Sequence, residues 1–199
     1  MSPRQLGIGV AAMLAVALVM GLYALRMRGR AQTATPPANE AQAVAPPTAG
    51  PTEAVTLYVA HDDSGTLEEV SAHIPLPPSG QQRAEGVLRG LLRVYLNSSS
   101  PHAIPAAAEI RSVYLVDPGL AVIDINSEFA NNHRSGVLVE ELTVVSLVRT
   151  LTANVSGISR VKILVDGHER DTLAGHADLS CFYDVAAMNQ LAEQISAGQ

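Results

Sequence analysis

The stretch that decides the fold is residues 109–155, which read EIRSVYLVDPGLAVIDINSEFANNHRSGVLVEELTVVSLVRTLTANV. Within it, two runs rich in β-branched residues, 110–116 and 120–125, flank the turn sequence DPG at 117–119. Proline fixes φ at a bend and glycine accepts a positive φ, so this pattern predicts a β-hairpin. A polar loop then leads into residues 137–154, which are apolar on nearly every side and therefore predict a deeply buried helix. Hairpin, loop and helix are expected to pack as one unit. In that unit the helix residues Leu142, Val145 and Val148 are expected to lie against the hairpin residues Val113, Leu115, Ile123 and Ile125.

The residues before this unit predict a second hairpin that is followed by a helix. Apolar and polar residues alternate over 55–60 and again over 69–74, as they do in strands with one buried face. Ser79 and Gln82 then fit a capping box at the N-terminus of a helix. In that helix the apolar residues form one stripe at helical spacing: Ala84, Val87, Leu88, Leu91, Leu92 and Tyr95.

After the central unit, the pattern predicts one more strand over Arg160–Val165 and a terminal amphipathic helix near Met188–Ile195. The order of the main elements is therefore ββα-ββα-β. Such an order indicates an α+β fold, in which a mixed sheet carries two main helices on one face.

An uncharged apolar run, Leu6–Leu25, precedes the folded part. A helix of that length covers about 30 Å, the thickness of the hydrocarbon core of a bilayer. Arginines at 26, 28 and 30 follow the run without the small-residue pattern of a cleavage site, so we expect an uncleaved transmembrane anchor. The next segment is rich in alanine and proline and lacks aromatic residues, which predicts an extended spacer. The predicted organisation is a transmembrane anchor at 1–30, a spacer at 31–54, a folded domain at 55–185 and a helical tail at 186–199.

The part of the chain after the predicted anchor is strongly acidic. Residues 31–199 contain nine basic and nineteen acidic side chains, a net charge of −10. This balance argues against nucleic acid as a partner, because nucleic-acid binding needs a basic surface, and against peripheral binding to anionic lipid. The single Cys181 excludes an internal disulfide, and we expect it to be a small buried or half-buried residue.

Two groups of ionisable residues are candidates for chemistry. The first follows the central hairpin: Asp124, Glu128, His133, Glu140 and Glu141. The second follows the last strand: Asp166, His168, Glu169, Asp171, His176 and Asp178. A hydrolase can use paired carboxylates, and a metal can bind histidine with carboxylates, but neither group has the spacing of a ligand motif such as H-E-x-x-H. Strand ends, helix starts and solvated loops explain both groups, so we predict no catalytic residue, cofactor or metal site.

Short segments spread over most of the folded part carry a resemblance to a known family. They are Val55-Thr56-Leu57-Tyr58-Val59, residues 110–125, Glu128-Phe129, Leu151-Thr152-Ala153, residues 161–167 and Asp178-Leu179-Ser180. With them, the chain resembles the GerMN domain, which is named for the sporulation and germination lipoprotein GerM. The resemblance spans about Val55 to Tyr183. It implies an extracytoplasmic domain on a membrane or lipid anchor, a fold similar to the ring-building motifs of secretion systems, and no known catalytic activity. The chain departs from the lipoprotein pattern, because a predicted transmembrane helix stands in place of a lipobox cysteine.

These observations favour a non-catalytic docking or assembly module of the bacterial cell envelope, which binds a protein partner or associates with itself. The alternative is an envelope hydrolase or metal-dependent enzyme that acts on peptidoglycan through one of the acidic groups. The resemblance and the spacer place the short N-terminus in the cytoplasm and residues 31–199 outside the inner membrane, although the local arginine count favours the opposite orientation. The predicted docking face is the polar line of the first helix: Arg83, Glu85, Arg89 and Arg93.

Overall fold

The computed structural model describes residues 52–197. The predicted anchor at 1–30 and most of the predicted spacer at 31–54 lie outside them. The elements are β1 (Thr52–His61), β2 (Thr66–Pro75), α1 (Gly80–Tyr95), β3 (Ile110–Val116), β4 (Leu120–Ile125), α2 (Ser127–Asn131), α3 (Val137–Asn154), β5 (Arg160–Val165), β6 (Tyr183–Asp184) and α4 (Val185–Ala197). Within the described range, no helix is long and apolar enough to cross a membrane.

The α+β class, the mixed sheet and the two main helices are confirmed, but the strands form two sheets rather than one. β1 and β2 make an antiparallel hairpin of their own. The second sheet has the order β3-β4-β5-β6, in which β4 and β5 are parallel and the other pairs are antiparallel. The parallel pair needs a crossover connection, and α3 supplies it.

α3 accounts for the separation of the two sheets, because its side chains bond the edge of β1 where another strand would otherwise pair. Ser146, Thr150 and Asn154 lie four residues apart and therefore on one line of the helix. Asn154 accepts from the N–H of Thr56 at 3.0 Å and donates to its carbonyl at 2.7 Å. Thr150 accepts from the N–H of Tyr58 at 2.9 Å, and Ser146 donates to the Tyr58 carbonyl at 2.6 Å.

A buried tyrosine from α1 extends this polar line. The hydroxyl of Tyr95 accepts from the N–H of Ala60 at 2.9 Å and also contacts the hydroxyl of Ser146. Burial raises the pKa of Tyr95 to about 12, so its hydroxyl keeps its proton and donates to Ser146. The edge of β1 is thus sealed by side chains from two helices, which satisfies backbone groups that would be costly to leave unpaired inside the molecule.

The central hairpin has the predicted turn. Gly119 adopts a φ of 71°, and a Cβ added there would lie 2.7 Å from the hydroxyl of Ser159, so only glycine fits. The core faces of the hairpin and of α3 are completely buried at Val113, Ile123, Ile125, Leu142, Val145 and Val148. Leu115 was expected to share this core, but it is 37% exposed and lies beside Gly80 at the start of α1. That part of the packing prediction is wrong, because α1 rather than α3 flanks this end of β3.

The remaining differences lie at element boundaries. β1 begins at Thr52, three residues before the predicted start of the folded domain. α1 begins after Ser79, whose hydroxyl accepts from the N–H of Gln82 at 3.3 Å, as the capping-box pattern indicates. α2 is a short helix that the pattern did not predict. Asn126 caps it by accepting from the N–H of Phe129 at 3.0 Å.

Candidate functional site

The middle of the predicted docking face on α1 bonds the neighbouring strand β3. Glu85 accepts from the N–H of Val113 at 3.3 Å, and Arg89 donates to the carbonyls of Ile110 at 3.3 Å and Arg111 at 3.1 Å. Arg89 also pairs with Glu85 at 3.1 Å, four residues earlier on the helix. Glu85 and Arg89 thus bond the backbone edge of β3, as side chains of α3 bond the edge of β1. A large part of their hydrogen-bonding capacity is therefore used within the molecule.

The ends of the same face differ from its middle. Arg83 forms an ion pair with Glu53 of β1 at 2.6 Å, and both side chains are partly exposed. Arg93 is exposed in the last turn of α1. Among the described residues, no side chain or carbonyl forms a hydrogen bond or ion pair with Arg93. It is the member of the predicted face that is most available to a partner.

Glu140 is the most strongly bound residue of the first acidic group. It is completely buried, and its carboxylate accepts from four backbone N–H groups. These donors are Gly136 at 3.1 Å, Ala174 at 3.0 Å, His176 at 2.8 Å and Ala177 at 2.9 Å. Burial opposes ionisation, but the hydrogen bonds from the His176 side chain and from these amides outweigh it and lower the pKa of Glu140 to about 2. Glu140 therefore stays ionised and ties the loop after β5 to the start of α3.

Asp124 has an equivalent role at the end of β4. Its carboxylate accepts from the N–H of Gly167 at 2.7 Å and lies 3.8 Å from the guanidinium of Arg111. Asp166 binds the same Arg111 at 2.8 Å and accepts from the N–H of Ser127 at 3.2 Å. The two aspartates therefore order the turn after β5 and the start of α2. They share no bonding partner with His133.

His133 instead belongs to a buried polar chain that links the β1–β2 turn, the segment between α1 and β3, the helix α3 and the loop after α2. Asp62 contacts Nδ1 of His102 at 2.6 Å, and Nε2 of His102 contacts the hydroxyl of Thr143 at 2.7 Å. The same hydroxyl contacts Nε2 of His133 at 2.8 Å, and Nδ1 of His133 contacts the carbonyl of Arg134 at 2.8 Å. Burial lowers the pKa of both histidines, more than the nearby Asp62 raises that of His102.

This chain has the residue types of a hydroxyl–histidine–carboxylate triad but not its accessibility. Thr143 and His102 have no solvent exposure. A nucleophile must reach a substrate carbonyl, and the Thr143 hydroxyl is enclosed between two imidazole rings and the carbonyl of Val139. The arrangement holds the β1–β2 turn against α3. Sequence reasoning misses it, because Asp62 lies in the turn sequence DDSG at 62–65 and His102 directly follows the sequence NSSSP at 97–101, which is typical of the end of a helix. A threonine inside the apolar run of α3 was the one signal.

The other members of the second group bond locally. Asp178 accepts from the N–H of Ser180 at 2.8 Å, and Glu169 pairs with Lys162 at 3.3 Å. Cys181 is exposed in the loop before β6, so the expectation that it is buried is wrong. Its neighbour Phe182 also faces solvent, because this loop crosses the outer side of β5 instead of entering the core.

A small pocket lies between α3, α4 and the loop before β6. Its volume is about 230 Å³, and its lining includes Val144, Met188 and Leu191 together with Glu141, His176 and Asp178. Pockets that enclose a drug-sized ligand are usually larger, roughly 300–1,000 Å³. Neither Asp124 nor His133 lines it. Within residues 52–197, no three His, Cys, Asp or Glu side chains are grouped so that they could hold a metal ion.

Comparison with known proteins agrees with the resemblance that the sequence shows. The tandem GerMN domains of the sporulation protein GerM from Bacillus subtilis are 24% identical over 64% of this chain and 44% of that chain, with a TM-score of 0.47. The first GerMN domain of the same protein is 25% identical over 64% of this chain and 93% of that chain, with a TM-score of 0.44. No curated protein matches the chain. A family model named Germane, described as sporulation and spore germination, matches residues 56–171. That match spans more than half of the sequence, and the chain therefore belongs to the Germane family of sporulation and spore germination domains.

Proposed function

We propose that this chain is a membrane-anchored docking or assembly module of the bacterial cell envelope and that it catalyses no reaction itself. The observation that carries the proposal is the use of its ionisable residues. Glu140, Asp124 and the Asp62–His102 pair each bond backbone groups or one another inside the fold. An enzyme needs such groups to converge on a substrate-sized cavity. The pocket between α3, α4 and the loop before β6 includes neither Asp124 nor His133 in its lining, which supports docking over the alternative of a peptidoglycan hydrolase.

The proposed location is the outer side of the inner membrane, with a single transmembrane helix over Leu6–Leu25 and the Germane domain outside. The apolar run, the Pro-rich spacer and the family of the domain support it. Phosphatase or β-lactamase fused after Gln199, which keeps α4 intact, is expected to be active. A reporter that works only in the cytoplasm, fused at the same position, is expected to be inactive. Its activity would mean that the domain lies inside the cell and would contradict this topology.

The proposed contact surface is the face of α1 that comprises Arg83, Glu85, Arg89 and Arg93, with an acidic protein surface as its partner. The domain as a whole is acidic, so a basic helix face is the place where complementary charge can select an acidic partner. Arg93 is the best residue for a test, because Arg83 and Arg89 also hold the fold together. A change at Arg93 therefore alters the surface with little effect on stability.

Arg93→Glu is expected to reduce the yield of crosslinked partner about tenfold, because a like-charge contact replaces an attractive one. The full chain is crosslinked in membranes and then isolated by affinity, at low and at high salt. Arg160→Glu is the matched control, since Arg160 is an exposed arginine on β5 rather than on α1. An unchanged yield of crosslinked partner with Arg93→Glu would rule out the α1 face as the contact surface. A chain that forms no complex with itself or another protein would rule out the docking function.

A further inference from the structure

The free edge of β2 differs from the other strand edges of the domain. Tyr58 and Thr56 of β1 turn their backbone groups toward α3, and their partners in the hairpin are Glu69 and Ser71. In an antiparallel pair, residues that lie opposite each other either bond each other or both turn outward. Glu69 and Ser71 therefore turn their N–H and C=O groups away from β1, and by alternation His73 does so too.

Within the part of the chain that the structure describes, these outward groups are unpaired. No residue between 52 and 197 forms a backbone hydrogen bond with Glu69, Ser71 or His73 at this edge, and all three residues are exposed. The edges of β1 and β3, by contrast, are bonded by side chains of α3 and α1. An unsealed strand edge is a template for pairing with another strand, and a sheet of only two strands gains stability when strands are added.

We propose that the β2 edge, residues 69–73, pairs antiparallel with the same edge of a second copy of this chain, about a two-fold axis at Ser71. This inference rests on the proposed docking function and names one of its partners. The pairing converts two hairpins into a continuous four-stranded sheet. It makes about six new backbone hydrogen bonds, two for each of the three facing pairs.

Charge selects both the partner and the register. With the axis at Ser71, Glu69 of each copy faces His73 of the other copy. Two equivalent pairs result, and in each of them an imidazole N–H donates to a carboxylate. A register with the axis at Glu69 brings the two Glu69 carboxylates face to face, which is unfavourable. Pro75 has no N–H to donate, and it ends the ladder just beyond His73. The edge is therefore complementary to itself in one register.

The test is by disulfide trapping, which is straightforward because one substitution, Cys181→Ser, removes the single native cysteine. In the full chain with Cys181→Ser, a Ser71→Cys variant places two thiols opposite each other across the axis, at a spacing that a disulfide can bridge. We expect a disulfide-linked dimer when membranes that contain this variant are treated with a mild oxidant. A chain with Glu69→Cys alone is expected not to form the disulfide-linked dimer. Co-expression of one chain with Glu69→Cys and a second chain with His73→Cys is expected to form it. Ser98→Cys, an exposed position outside β2, is the control.

A charge exchange tests the register without cysteine. His73→Glu opposes two pairs of like charges and is expected to weaken self-association of the full chain in detergent about tenfold, as measured by analytical ultracentrifugation. Adding Glu69→Lys to His73→Glu restores opposite charges and is expected to restore association. His168→Glu, which makes the same charge change in the loop after β5, is expected to leave association unchanged.

The outcomes separate this inference from the proposed function. A chain that crosslinks to another protein, or to itself, while Ser71→Cys is trapped no more than Ser98→Cys, would overturn the β2 pairing and leave the docking function standing. A chain that forms no complex of any kind would overturn both. Failure of the double charge exchange to restore association would overturn the register centred on Ser71.

Discussion

Leu142→Ala is expected to lower the free energy of unfolding by about 3 kcal/mol, within the usual range of roughly 2–5 kcal/mol for a buried leucine. Leu142 is completely buried near the start of α3, on the same side of the helix as the buried Val145. Truncation loses the transfer free energy of the removed carbons and leaves a cavity that the two sheets cannot fill without moving. The urea midpoint of the purified chain, followed by far-ultraviolet circular dichroism, measures the effect.

Leu138→Ala is the matched control for this experiment. Leu138 lies one turn earlier on α3 and is 46% exposed. Its truncation removes the same atoms from a surface position and is expected to cost about 0.5 kcal/mol or less. Equal shifts of the urea midpoint for the two variants would mean that α3 does not bury the face that contains Leu142.

The local patterns that predicted α3 and the central hairpin are strong because each depends on neighbouring residues only. A helix with no polar face is stable in water only when it is buried. A proline and a glycine between two β-branched runs strongly favour a turn. Burial of Leu142 and the positive φ of Gly119 follow from those local rules. The same rules found the capping box at Ser79.

The division into two sheets could not be predicted in this way. It depends on Asn154 meeting Thr56, which is 98 residues away in the sequence. Ser146, Thr150 and Asn154 are ordinary polar interruptions in an apolar helix when only the sequence is read. Their spacing of four residues becomes meaningful once β1 is known to lie along the same side of α3. The pairing of edges with helices is a tertiary property, and periodicity within one segment does not contain it.

The candidate site shows the same limit. Sequence reasoning favoured structural roles for Asp124 and Glu140, and it placed the acidic residues near 140 at the start of a helix, where Glu140 does lie. Its main partners are amides at 174–177, which only the folded loop brings to it. His102 and Asp62, 40 residues apart, escaped notice for the same reason. Burial of a single residue such as Cys181 is equally hard to predict. The residue type gives only an average tendency to be buried, whereas the path of one loop decides whether this cysteine is exposed.

Glu140→Gln is expected to lower the free energy of unfolding by about 3 kcal/mol at pH 7, a cost that comes from four amides and one imidazole losing an ionised acceptor in a buried site. Glutamine keeps the shape of the side chain, but its NH₂ group would face N–H donors of the loop at Ala174, His176 and Ala177. Glu141→Gln is the matched control. Glu141 is only half-buried, and among the described residues its carboxylate forms no hydrogen bond.

The pH dependence distinguishes loss of the charge from loss of packing. Because the pKa of Glu140 is lowered from 4.5 to about 2 in the fold, its ionised form stabilises the protein fully above pH 4.5. That contribution declines as the pH falls from 4.5 and is lost once the pH passes through 2. The urea midpoints of the wild-type chain and Glu140→Gln are therefore expected to differ most at pH 7 and to converge as the pH falls from 4.5 toward 2. A difference that stays constant with pH, or a loss of equal size in Glu141→Gln, would show that the buried carboxylate is not what holds the 174–177 loop to α3.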